Sequence, residues 1–329
     1  MSMMSITVPG IRLDFQLEGA ERTRMTRAWI PDGVPTLRGI LICGNGADAD
    51  GRGQADQQHK RAWARHHGFA ILATGFFRRF NDGFSGEDWT VLTAAMADLV
   101  ERSGHPELAQ APWLCWGHSN GGQMAYGLAR LAPERVIAFV VNKGGYYIDA
   151  SDGGANPVAV PGLFIAGEQD EGKNSRQQVI EALYRSGRVN GAPWAWLEER
   201  RRGHELANSQ ALAFAWFEQV LPQRYPPELA PTPSQAPVLR PLSIADGWLL
   251  AEGHQHWATG DAPIREVAAG GDDRSMGWLP DRTTAMVMRA SASYDPELPS
   301  AWSPLDKAVR ILAPMDPLDE DAVDALLYR

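Results

Sequence analysis

The sequence predicts an α/β protein with parallel strands and crossover helices, and three observations carry that reading. Through residues 37 to 221, short apolar runs of buried-strand type alternate with helix-suited segments, as parallel strands joined by covering helices require. The run Trp113-Leu114-Cys115-Trp116 ends in Gly117-His118-Ser119-Asn120-Gly121-Gly122 and passes at once into a helix-suited stretch, Gln123 to Leu131. Beyond residue 221 the composition changes, first to dense prolines and then to short, tryptophan-bearing pieces.

The elements follow in order. Residues 5 to 30 alternate loosely (Ile6, Val8, Ile11, Leu13, then Met25, Ala28), which suits a hairpin at a sheet edge. Leu37 to Cys43 is a buried-strand run closed by Gly44-Asn45-Gly46-Ala47-Asp48. A helix is expected within Gln54 to His67, and Phe69 to Thr74 is the next strand. Ser85-Gly86-Glu87-Asp88 has the composition of a helix cap, and behind it Trp89, Leu92, Met96 and Leu99 recur at helical spacing. After this elbow, the sharp turn at Ser119 between strand and helix, come strands at Val136 to Val141, Leu163 to Ala166 and Trp194 to Leu197, with helices at Ser175 to Ser186 and Leu206 to Val220. Eight strand candidates therefore end near Leu221.

Seven prolines between Pro222 and Pro241 read as an extended linker. This divides the chain into a main domain at 1–221, a linker at 222–241 and a small module at 242–329. Within the module Ala285 to Ala290 and Ala308 to Leu312 read as strand-like, and the acidic tail from Ala322 to Leu327 as a helical turn or two.

Composition narrows the function. Forty acidic against 31 basic residues leave a net charge of -9, which gives no general attraction to nucleic acid or anionic lipid. A small-molecule substrate is expected rather than a membrane or nucleic acid. Met1 to Leu17 lacks a charged start followed by an apolar stretch of signal length, and no run approaches a membrane span. A soluble chain is expected, with the cytoplasm a better match than secretion. Cys43 and Cys115 are the only cysteines and both sit in apolar runs, so two buried thiols are expected rather than a disulfide scaffold. Nothing in the chain implies an organic cofactor. His254-x-His256 could place two imidazoles on one strand face, but no local cysteine or carboxylate completes a site, so no metal is expected.

The chemistry is read from spacing. In Gly-x-Ser-x-Gly-Gly the serine is held in a strained turn, and glycines let strand and helix crowd together. The hydroxyl is thereby raised off the end of the sheet at a helix amino terminus, where an oxyanion is favoured. An activated serine needs a base, and the base an orienting carboxylate. Asp170 follows the seventh run and His204 the eighth, so Ser119, Asp170 and His204 each lie just past a strand end. Glu168 and Asp149 are rival acids. His118 beside the serine reads as packing or as support for the residues of the site, and His66-His67 as a helix end. Arg200-Arg201-Arg202 is either a solvated loop or a contact for an acidic substrate group.

On Gly-His-Ser-Asn-Gly-Gly at 117 to 122, Gly-Glu-Gln-Asp at 167 to 170, Gly-His at 203 to 204 and the glycine turn at 44 to 46, the chain resembles an α/β-hydrolase of the esterase branch over residues 5 to 221. The resemblance implies the α/β-hydrolase fold, a mostly parallel eight-stranded sheet with helices on both faces and here a small C-terminal β-rich appendage. It implies Ser119 as nucleophile, His204 as general base and then acid, and Asp170 as the residue that holds the imidazole. The oxyanion is then held by the backbone N–H of Asn120 and by one from the loop after the third strand. That loop usually reads His-Gly-x, whereas here it reads Cys43-Gly44-Asn45-Gly46, which selects Asn45, with Gly46 or Ala47 as alternatives. The family sheet order places the third and fifth strands, and so Cys43 and Cys115, side by side.

The stretch from Lys143 to Val160 is too short for a helical cap. Tyr146 and Tyr147 within it are candidate substrate-binding residues. Trp248 and Trp257, with Trp278, are candidates from a C-terminal module that folds over the site. The expected reaction is hydrolysis of a carboxylic ester through an acyl-serine. Similarity to feruloyl-esterase and polyhydroxyalkanoate-depolymerase relatives favours small acyl groups or aromatic acids. An acyltransferase or peptidase uses the same triad, and a non-catalytic binding protein for carbohydrate or a protein partner is the alternative from another class.

Overall fold

In the computed structural model, residues 8–17, 24–75, 84, 86–145, 157–170, 176–252 and 263–292 are described. Eight strands form one sheet: β1 (Gly10–Leu17), β2 (Arg24–Pro31), β3 (Gly39–Gly44), β4 (Phe69–Gly75), β5 (Trp113–His118), β6 (Val136–Asn142), β7 (Gly162–Gly167) and β8 (Trp194–Glu199). Their spatial order is β1-β2-β4-β3-β5-β6-β7-β8. β2 pairs antiparallel with both β1 and β4, and the links from β4 through β8 are parallel. The amino-terminal hairpin thus lies at one edge and β8 at the other.

The central strands are buried along their full length, so they read as continuous apolar runs rather than alternating ones. Helices cover both faces. α1 (Gln58–His67) and α5 (Ser209–Arg224) bury Trp63, Leu212 and Trp216 against one, and α2 (Gly86–Ser103), α3 (Asn120–Leu131) and α4 (Arg176–Val189) bury Leu92, Met124 and Ile180 against the other. The first part of the helix expected at 54 to 67 is a separate 3-10 turn, Gly51–Asp56, capped by the Asp50 side chain. α1 ends at Gly68 in the left-handed conformation (φ 69°), as glycine caps commonly do.

Strands β3 and β5 are neighbours, with Ile42 opposite Cys115 and Cys43 opposite Trp116. This one-residue offset puts the two cysteines on opposite faces of the sheet, where both are free and buried. Burial pushes both thiols above their ordinary range.

The proline-rich stretch crosses the amino ends of the parallel strands, away from the ends where Ser119 lies. The Tyr225 hydroxyl donates to the Arg38 carbonyl just before β3 (2.8 Å), and Arg38 returns bonds to the carbonyls of Tyr225 and Pro226. Arg224 donates to Ala159 just before β7. Beyond it, β9 (Trp248–Leu250) is flanked by β10 (Ile264–Glu266) and β11 (Gly277–Leu279) in a three-stranded antiparallel sheet.

This small sheet shares a hydrophobic core with α5 and β8: Leu249, Trp278 and Leu279 join Trp216 and Leu197. Trp216 and Trp278 meet edge to face, with ring centroids 6.4 Å apart. The expected strand at Ala285 to Ala290 is instead part of α6 (Arg282–Ala292). Asp281 caps it by accepting from Thr284 N–H (2.7 Å), and Ala285 and Met288, three apart, face the core. The cap, the helical period and the helix-favouring alanines and methionines outweigh the short apolar run that suggests a strand. The pieces at 308–312 and 322–327, Ser85, and residues 1–7 lie outside the described residues.

Candidate active site

Ser119 occupies the turn between β5 and α3 with φ 55° and ψ -118°. A non-glycine residue at positive φ costs on the order of 1–3 kcal/mol and persists only where its surroundings hold it. Here the Ser119 N–H bonds the Asn142 carbonyl (2.9 Å) and the Ser119 carbonyl accepts from Gly122 N–H (2.9 Å). The glycines are required by space. A Cβ on Gly117 would lie 1.8 Å from the Gly121 oxygen, and one on Gly121 2.2 Å from the carbonyl carbon of Gly44.

Serine at a helix amino terminus ordinarily turns its hydroxyl inward to cap the helix. Ser119 makes no such bond. Its Oγ instead lies 2.9 Å from His204 Nε2, and His204 Nδ1 lies 2.8 Å from Asp170 Oδ2. The tautomer follows from the partners: an ionised carboxylate only accepts, so Nδ1 carries the proton and Nε2 faces the hydroxyl as a base. The other oxygen, Oδ1, accepts from Arg176 (2.8 Å). Burial pushes the Asp170 carboxyl up, but the hydrogen bond and charge of His204 and the Arg176 guanidinium outweigh it and hold the group below its ordinary value. It is therefore an anion at neutral pH.

The other candidates are placed as follows. Asn120 opens α3, whose first-turn N–H groups point out of the helix end. The Asn45 nitrogen lies 2.7 Å from where a Gly121 Cβ would stand, and Gly46 borders the Ser119 side chain. Both loops with predicted oxyanion donors thus meet at the serine. Glu168 is turned away from the imidazole and accepts from the Arg201 N–H (2.7 Å). Trp248 is half-buried and packs on the core shared with α5, and Trp278 is buried there with its indole N–H donating to the Ile244 carbonyl (3.1 Å). Tyr146, Tyr147, Trp257, Asp149, His254 and His256 lie outside the described residues. Among the described residues, no three His, Cys, Asp or Glu side chains converge as a metal site would require.

Four residues surround this line of contacts, and of them the sequence reading singles out His118 alone. His118 Nε2 lies 2.7 Å from the His204 carbonyl oxygen, and burial drops its imidazole to about 4. Lys143, buried at the end of β6, pairs with Glu199 at the end of β8 (2.7 Å). Arg176 is the fourth. Their only sequence signal is a charged residue set directly at the end of an apolar run, Asn142-Lys143 and Glu198-Glu199, and nothing in the pattern says that the two ends meet.

The mostly parallel eight-stranded sheet with helices on both faces, with Ser119 at the strained turn after β5, defines a chain of the α/β-hydrolase fold. No protein-family model matches the sequence, and no curated protein matches it. Among solved structures it is similar to a poly(3-hydroxybutyrate) depolymerase from Bordetella parapertussis, at 18% identity and a TM-score of 0.47, over 64% of this chain and 90% of that one. It is also similar to a thermostable esterase, at 14% identity and a TM-score of 0.46, over 58% of this chain and 54% of that one. An S-formylglutathione hydrolase from Agrobacterium tumefaciens is similar at 13% identity and a TM-score of 0.45, over 61% and 91%. Among the described residues, no helix is long and apolar enough to cross a membrane.

Proposed function

We propose that this chain is a serine hydrolase that cleaves carboxylic esters through an acyl-serine intermediate. The observation that carries the reading is the unbroken line from Ser119 Oγ to His204 Nε2 and from His204 Nδ1 to Asp170 Oδ2, at 2.9 and 2.8 Å. A serine that only shaped the turn would have no use for a base and an orienting anion in line with its hydroxyl.

In the proposed reaction His204 Nε2 takes the hydroxyl proton as Ser119 Oγ attacks the carbonyl carbon. Asp170 stabilises the imidazolium, and the Asn120 and Asn45 N–H groups receive the tetrahedral oxyanion. His204 then protonates the departing alcohol. Water enters, gives a proton to the same nitrogen and attacks the acyl carbon; as the bond to Ser119 Oγ breaks, His204 returns that proton to Oγ, releasing the acid and restoring Ser119 and the neutral imidazole. Tyr146, Tyr147 and Trp257 are assigned to the substrate cleft, and 242–329 to a module that contributes to it, but not through Trp248, which packs on the core shared with α5. No cofactor takes part.

The test is covalent labelling. A fluorophosphonate should add once to the intact protein, measured by mass, and Ser119→Ala should abolish the adduct. A panel of esters of differing acyl and alcohol size then reads the substrate class. Folded wild-type protein that forms no adduct with a small probe would overturn the proposal.

A further inference from the structure

The Ser119–His204–Asp170 line accounts for one imidazole and one carboxylate, yet the same end of the sheet buries two more titratable side chains, Lys143 and Glu199, and half-buries a third, His118. Lys143 directly follows β6, and its side chain is fully buried. Its ammonium donates to Glu199 Oε2 (2.7 Å) and to the backbone carbonyl of Glu205 (2.5 Å). Glu199 Oε1 accepts from the Asn208 N–H (3.0 Å). From the neighbouring strand, His118 at the end of β5 lies 2.7 Å from the backbone carbonyl of His204. A carbonyl only accepts, so His118 Nε2 carries the hydrogen.

Two successive carbonyls, those of residues 204 and 205, are therefore gripped by side chains from two different strands. The imidazole of His204 sits on the loop between β8 and α5, an element that its own backbone does not hold rigidly. Taking Lys143 and Glu199 out of water is costly, and an apolar pair of the same volume is often equally stable or more so. Lys143 also holds a left-handed backbone (φ 47°), an uncommon conformation for a residue with a side chain. Stability alone is a poor account of such an arrangement, whereas geometry at residue 204 is a direct one.

We propose that His118 and Lys143, the latter with Glu199 as its counter-ion, are positioning residues that hold the His204 backbone through the carbonyls of residues 204 and 205 and so keep Nε2 in line with Ser119. The proposal rests on the serine-hydrolase reading. A shift of about 1 Å at a reacting group costs up to about 100-fold in rate, so loss of either grip acts on turnover and leaves substrate affinity alone.

The experiment compares wild type, His118→Phe, His118→Gln and the double variant Lys143→Met, Glu199→Gln. It measures the rate of fluorophosphonate addition at Ser119 and kcat and KM for p-nitrophenyl acetate, with folding checked by circular dichroism. Expected for His118→Phe is a fall of about 10- to 100-fold in labelling rate and in kcat together, with KM unchanged. His118→Gln, whose amide N–H can replace the imidazole donor, should recover most of it. In a His204→Ala background, His118→Phe should cost nothing further, because residues that act as a unit are not additive. Wild-type labelling rate in folded His118→Phe, or an equal further loss in the His204→Ala background, would overturn the assignment. If His118→Phe does not fold, the Lys143→Met, Glu199→Gln variant decides by the same rates, and an unchanged rate there also overturns it. Failure of the wild type itself to label removes the hydrolase reading first.

Discussion

Gly121→Ala tests whether packing at the elbow and the chemistry proposed for it are one arrangement. A Cβ at Gly121 would stand 2.2 Å from the carbonyl carbon of Gly44 and 2.7 Å from the Asn45 nitrogen. These are backbone atoms, so no side chain can swing aside. Restoring ordinary contact requires the β3 loop and the start of α3 to separate by about 1 Å. Overpacking of this kind costs about 1–3 kcal/mol. That displacement also moves the Asn45 N–H away from the place of the oxyanion, and losing one such donor costs about 100- to 1,000-fold in kcat. The variant should therefore fold with a lowered melting temperature, and kcat for a simple ester should fall at least about 100-fold. Gly53→Ala is the control, because nothing lies within 4 Å of its Cβ, and it should change neither quantity. Full activity in folded Gly121→Ala would refute the claim that the Gly44–Gly46 loop supplies a donor.

Two further predictions concern the attachment of the carboxyl-terminal segment. Burial raises the Glu252 carboxyl from 4.5 to about 7, although the Tyr184 hydroxyl and Arg185 favour its anion. Its contribution to stability is full below pH 4.5 and is lost as pH rises through about 7, a change of roughly 3 kcal/mol. The stability difference between wild type and Glu252→Gln, from urea unfolding, should therefore change between about pH 5 and about pH 8, with wild type losing ground at the higher pH. An equal difference at both would sink the assignment. Arg188 is fully buried and donates to the carbonyls of Ala192 and Met276 and to the Asp272 carboxylate. Arg188→Met strips these acceptors of their donor and should destabilise by about 3 kcal/mol, less than a fully buried pair because Asp272 is partly exposed. Guanidinium unfolding within experimental error of wild type would contradict this.

The parallel sheet was legible because β3 to β8 are short apolar runs separated by helix-length segments, and only one arrangement of such runs buries them all. The elbow was legible for a local reason. Gly117 is demanded by Gly121 and Gly122, within a few residues of Ser119, although Gly121 also meets Gly44 and Asn45, and Gly122 also meets Val141 and Gly144, all distant in sequence. The α6 segment reads as a strand only from its short apolar run, Ala285 to Met288; Ala and Met in fact favour a helix, and the deciding cap, Asp281 to Thr284, lies before the run. Likewise the tryptophans of the appendage carried no sign of whether they face a cleft or a core. Trp278 is now seen to be spent against Trp216.

By itself the sequence determined the order of elements and the positions of Ser119, Asp170 and His204 at strand ends, because hydrophobic period and turn chemistry are written in near neighbours. Only the tertiary structure decided that Asp170 rather than Glu168 bonds the imidazole, since the two are separated by the direction a side chain takes from one loop. It alone paired Lys143 with Glu199 and set His118 against the carbonyl of His204. Those contacts join residues 56 and 86 positions apart. Such contacts exist only once β5, β6 and β8 lie in one sheet, and no local pattern encodes the distance between the ends of separate strands.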